Sequence, residues 1–278
     1  MQTRLILAAG VALAATSDGA RAQEVMHTAA ATMPSPASLI LRPQFHYAEY
    51  GRNPHTGDEK TIRYEWTTSL QVGLYRELSL TAELPVIFET RERPGDDDDD
   101  YGVSDIDLTL KWRFFRKDSQ GVDTIRAALL AGAAVASGDD DDFSTQSVNP
   151  FLGGVVTVIR GRHGFNQDLI YTLTTGGEEA SNFGGQSIHD ALAFNSAYVF
   201  RLFPAEYSAD THGSLYATIE LNGLYETNGD TELLWAPGLM YEARRFAVEV
   251  MVQLPLWQDV RERPELDLRV GIGLRFLF

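Results

Sequence analysis

The chain has 278 residues, 44% of them hydrophobic and 22% charged, with 39 Asp and Glu against 23 Lys and Arg and a formal charge of −16. That composition belongs to a folded chain rather than a disordered one, and its acidity, offset by no basic stripe, excludes the footprint of a nucleic-acid binder. With no cysteine there is no disulfide framework, thiolate metal site or cysteine nucleophile.

The first element in chain order is a secretory signal. Arg4 supplies a positive start, Leu5 to Ala15 an apolar run too short to span a membrane, and Ala20-Arg21-Ala22 a small-residue end, so cleavage is expected before Gln23. Residues 23–38, an Ala, Pro and Ser-rich stretch, read as a periplasmic lead-in, and residues 39–278 as one domain. No later stretch approaches 18 apolar residues, so a membrane-spanning helix is not expected.

From Leu39 onward the pattern has a period of two, which belongs to strands. Leu39, Leu41, Phe45 and Tyr47 alternate with Arg42, Gln44 and His46. Ile62, Tyr64, Trp66, Leu70, Val72 and Leu74 alternate with Arg63, Glu65, Thr67, Ser69 and Gln71, and the pattern returns around Leu78 to Phe88 and Ile106 to Phe114. The runs at 122–136 and 148–160 carry Ala, Gly and Val on both faces and are assigned as strands because turn signals bound them. Segments 164–175, 188–202, 214–227, 231–243, 245–257 and 266–278 bring the count to twelve. Connections alternate between longer Gly, Pro, Asn and Asp-rich stretches, near 51–60, 89–101 and 137–147 for example, and mostly tight turns. That asymmetry is expected of an all-β transmembrane antiparallel β-barrel of about twelve strands in the bacterial outer membrane.

Twelve strands enclose more space than side chains fill, so the polar face should line the interior. Parity then assigns Arg42, His46, Arg63, Glu65, Glu83, Asp105, Asp107, Lys111, Arg113, Asp168, Arg201, Glu220, Glu249, Asp267, Arg269 and Arg275 to the lumen. On a lipid face, Arg and Lys would cost about 2–4 kcal/mol each at mid-depth. Aromatic residues on the apolar face fall toward strand ends, as with Tyr64 and Trp66, Trp112 and Phe114, and Tyr198 and Phe200, which makes an interfacial girdle. The last strand alternates to the end of the chain, with Gly273, Phe276 and a terminal Phe278, and resembles the signal that the outer-membrane insertion machinery reads.

Catalytic motifs are sparse. Gly102-Val103-Ser104 lacks the second glycine of a nucleophile elbow, and His212-Gly213-Ser214 is a faint likeness to an outer-membrane phospholipase site. No catalytic residue, metal ligand or cofactor is assigned. The runs Asp96, Asp97, Asp98, Asp99, Asp100 and Asp139, Asp140, Asp141, Asp142 are read as solvated loop tips. Open alternatives are calcium ligation, bridging to lipopolysaccharide through divalent ions, and a cation bias at a pore mouth.

The stretch Tyr101-Gly102-Val103-Ser104-Asp105-Ile106-Asp107-Leu108-Thr109-Leu110-Lys111-Trp112-Arg113-Phe114 resembles the Gly-x-x-Asp opening and amphipathic strand of outer-membrane proteins labelled as transporters of the meta-pathway of phenol degradation. Ala133 to Asp142 and the C-terminal strand are similar too. The resemblance implies a barrel of about this size, linked in some members to uptake of aromatic compounds, and supplies no binding residues. The expected function is a channel or transporter for small, aromatic or hydrophobic solutes, with outer-membrane lipid, lipopolysaccharide, the insertion machinery and the solute as partners. The rival readings are a closed barrel that binds through its acidic loops, and a lipid hydrolase.

Overall fold

The structure, a computed structural model, describes residues 24–54, 60–93, 95–119, 122–139, 143–177, 185, 187–208 and 210–278. The expected signal peptide and Asp140, Asp141 and Asp142 lie outside the described residues.

Among the described residues thirteen strands form one antiparallel sheet: β1 (Leu39–Tyr50), β2 (Lys60–Tyr75), β3 (Leu78–Arg93), β4 (Asp96–Val103), β5 (Ile106–Asp118), β6 (Thr124–Val135), β7 (Asn149–Arg160), β8 (His163–Thr172), β9 (Ala191–Phe203), β10 (Gly213–Glu226), β11 (Thr231–Ala243), β12 (Phe246–Asp259) and β13 (Leu266–Leu277). Pairing runs round a ring, with β1 against both β2 and β13, so the sheet closes on itself. Leu39 and Phe278 exchange both backbone hydrogen bonds at the seam, which leaves no open edge there.

β4 and β5 are two halves of one bent strand, so the wall has the expected twelve staves. β3 pairs with β5 below the bend and with β4 above it. The first acidic run is therefore strand and not a loop tip. In the register Arg91 stands opposite Asp98 and Thr90 opposite Asp99, whose carboxylate accepts the Thr90 hydroxyl at 2.8 Å. Cross-strand pairing outweighs the poor strand propensity of aspartate.

The outer surface is apolar. Trp66, Leu70, Trp112, Phe114, Leu152, Leu169, Leu239, Val250 and Ile272 are all exposed on it, while their strand neighbours Lys111, Arg113, Asp168, Met240 and Met251 are buried inside. Exposed apolar residues right round a closed sheet belong against lipid. No helix among the described residues is long and apolar enough to cross a membrane; the strands do so.

The interior is not left to side chains alone. Residues 24–34, expected to lie outside the barrel, run through its lumen without regular secondary structure. Val25 packs on Ala197, Val199, Tyr216 and Met240, Met26 on Ala236 and Met251, and Ala31 on Ala128, Leu130 and Val155. The two strands that looked apolar on both faces, β6 and β7, thus turn one face to lipid and the other to this segment. Gly73 marks the crossing, since a Cβ there would lie 2.1 Å from the Ser35 carbonyl oxygen.

Candidate functional site

The luminal segment has a backbone with no ladder to join, and every buried N–H and C=O still needs a partner. The barrel wall supplies them by sign. On one side carboxylates accept amides: Glu220 takes His27 N–H at 3.1 Å and Thr28 N–H at 2.7 Å, and Asp168 takes Ala29 N–H at 2.7 Å. The Thr157 hydroxyl takes Ala31 N–H at 2.8 Å. On the other side cations donate to carbonyls: Arg42 to Val25 at 2.6 Å, Lys111 to Ala30 at 2.9 Å and Arg275 to Glu24 at 3.2 Å. Charge-assisted bonds of this kind are roughly twice as strong as neutral ones.

The path of the segment follows from these contacts. Ser35 crosses Gly73 near the end of the barrel where Leu39 meets Phe278. Ala29 and Thr28 reach mid-strand residues, and Glu24 turns back to Arg275, near that same end. The segment is a loop let into the lumen from one side.

Beside it a cavity of about 560 Å³ is left along β1–β8. One wall is polar, with Thr67, Ser69, Gln71, Thr81, Glu83 and Asp107. The facing wall carries Leu130, Ala134, Phe143, Phe151 and Ile170. Glu83 and Asp107 stand directly opposite each other on β3 and β5, and Arg42 and Lys111, which line the same cavity, act on Glu83 electrostatically.

Most residues assigned to the lumen by parity do face inward. Arg42 pairs with Glu249 at 2.7 Å and Lys111 with Glu24 at 3.7 Å. Arg63 lies 3.4 Å from both Glu65 and Glu89, and Arg269 donates to Tyr50 and Gln253. Arg113 sits at the end with the short turns, on Glu77 at 2.6 Å. Arg201 lies there too, over the ring of Tyr207 at 3.9 Å. Asp267 is the exception. The register passes from Glu49 opposite Leu268 to Tyr50 opposite Leu266, so Asp267 is the extra residue of a bulge and is exposed. Its neighbour Leu266 turns inward instead, onto Ala48, Tyr50 and Leu234.

Asp105 lies in the bend between β4 and β5 and ties the connection after β6 to the mouth. Its carboxylate accepts Ser137, Gly138 and Thr145 N–H and the Ser144 and Thr145 hydroxyls, at 2.7 to 3.1 Å. Burial pushes its pKa up, but these bonds outweigh it and hold the group below the usual carboxylate range. A depressed carboxylate adds stability that is complete above its unfolded pKa and is lost as pH falls through the folded one. Asp105→Ala is therefore expected to free Phe143, now only 4% exposed, for chymotrypsin cleavage at neutral pH. The wild type should become cleavable there only in strong acid, with pepsin as the protease in place of chymotrypsin. Asp139 also braces this mouth, bonding Val103 through both backbone and side chain.

The lumen brings together two histidines from separate segments: His27 stacks on His46 at 5.3 Å between ring centroids. The only available signal was the position of His27 in the lead-in, which offered no reason to place it inside. The hydrolase motifs form no site. Ser214 is buried with its hydroxyl 3.3 Å from that of Tyr207, not on His212. Ser104 is buried at the bend, its N–H on the Pro85 carbonyl. Among the described residues no three His, Cys, Asp or Glu side chains gather as a metal-ligand group.

The sequence matches no protein-family model and no curated protein. The fold is similar to that of an outer-membrane channel from Pseudomonas putida F1, at 13% identity over 92% of this chain and 100% of that one, with a TM-score of 0.61. It is also similar to the β domain of the Bordetella autotransporter BrkA, at 9% identity over 87% of this chain and 100% of that one, with a TM-score of 0.52. At these identities the likeness is one of fold.

Proposed function

For this barrel of the bacterial outer membrane we propose a role as a channel for small solutes, with residues 24–34 narrowing the route to the cavity beside them. The observation that carries the reading is that cavity, whose hydroxyl and carboxylate wall faces an apolar wall with two phenylalanines. A small aromatic compound bearing a polar substituent suits both walls, and a structure similar to this fold is a channel. Because six carboxylates line the cavity against four Arg and Lys side chains, permeant cations should be favoured over anions. No step of chemistry is assigned to the protein.

The test is single-channel recording of the refolded protein in a planar bilayer under a salt gradient. Small stepwise conductance with cation preference is expected, interrupted when benzyl alcohol is added. Glu83→Gln with Asp107→Asn should reduce that preference without abolishing the steps. Silence both in the intact protein and in a chain lacking residues 24–34 would overturn the channel reading in favour of a closed barrel.

A further inference from the structure

We propose that Met26, His46 and His27 form a binding site for a soft monovalent cation of the Cu(I) and Ag(I) class, where the luminal segment meets β1. His46 Nε2 lies 3.2 Å from Met26 Sδ. Metal bonds of about 2.0 Å to nitrogen and about 2.3 Å to sulfur would span that separation at about 95°; a three-coordinate ion, which takes about 120°, requires the flexible Met26 thioether to draw back by about 0.5 Å. The third donor is His27, stacked on His46 with its planes 24° apart. Its Nε2 is buried and has no hydrogen-bond partner, although buried polar atoms nearly always find one.

The surroundings fit the same ion. Gly271 clears the space, since a Cβ there would lie 2.5 Å from Met26 Sδ and 2.9 Å from both His46 Cδ2 and the Met251 methyl. Met251 thus brings a second thioether to the edge of the site. Glu220, bonded to the His27 N–H, places a carboxylate nearby. Thioether and imidazole donors suit Cu(I), whereas Ca and Mg require oxygen ligands. The composition points the same way: all four methionines after the signal, Met26, Met33, Met240 and Met251, lie inside the barrel. A bound ion would tie the segment to β1 whether or not the lumen conducts.

The experiment uses the full mature chain, refolded in detergent. It is titrated with Ag(I), and with Cu(I) under anaerobic reducing conditions against a colorimetric chelator. One equivalent of each ion is expected to bind. Met26→Leu and His46→Phe should each weaken binding by more than about tenfold, the lower end of the loss that even an outer-sphere change causes. Met33→Leu, which lies against Ser79 and away from the cluster, should bind as the wild type does. Met26→Leu alters no strand residue, so it remains decisive should His46→Phe fail to assemble. Equal affinity in wild type and Met26→Leu, or no uptake beyond the chelator control, would overturn the site.

Discussion

Removing residues 24–34 is expected to raise single-channel conductance severalfold while leaving a folded barrel. The segment occupies the middle of the lumen and meets β1, β5, β7, β8, β10 and β13 through hydrogen bonds. None of the strand-to-strand pairs that close the ring involves it, so the barrel does not depend on it for closure. Its removal would return Glu220, Asp168, Arg42 and Lys111 to water, which solvates them, and would uncover the apolar inner patch around Ala197, Val199 and Met240. The loss in stability should therefore be modest against the gain in open cross-section. A milder version, Glu220→Ala with Asp168→Ala, removes the acceptors of three backbone N–H groups and keeps the segment. It should give frequent transitions between a small and a large conductance. A deletion chain with the wild-type conductance would show that the segment does not limit the route.

The second large effect is on stability. Leu239 and Val250 face each other across β11 and β12 and are 48% and 43% exposed on the outer surface. Arginine at either site, near mid-strand, is expected to cost about 2–4 kcal/mol because the charge must sit in hydrocarbon. Thr81→Arg, on the cavity wall, should leave stability close to wild type and shift ion preference toward anions. Urea unfolding in liposomes separates the two classes. An equal cost for Leu239→Arg and Thr81→Arg would contradict the assignment of inside and outside.

Much of this architecture is written in the order of residues. Alternation of greasy and polar positions along Ile62 to Leu74, or Phe246 to Leu256, makes strands with one face of each kind. The count of twelve, too many for side chains to fill the interior, then turns the charges inward. Period two is a local property, so it survives without knowledge of partners. It also placed Arg42, Glu249, Lys111, Asp168 and Glu220 on the inner face before any pairing was visible.

What sequence order could not determine is whatever depends on two distant segments meeting. The bulge at Asp267 arises from the register between β13 and β1, and a single extra residue reverses parity without altering composition. The Asp96 to Asp100 run carries a loop's composition, yet β3 offers it a ladder. Most of all, the stretch read as a lead-in enters the lumen because Ala128, Leu130, Val155, Ala197 and Val199 present an apolar inner surface that water would otherwise cover. Its amides and carbonyls then find carboxylates and cations from strands more than a hundred residues away. Hydrophobic periodicity determined the wall of this protein. Only the closure of the ring, which sets those wall residues around one shared space, decided what fills it.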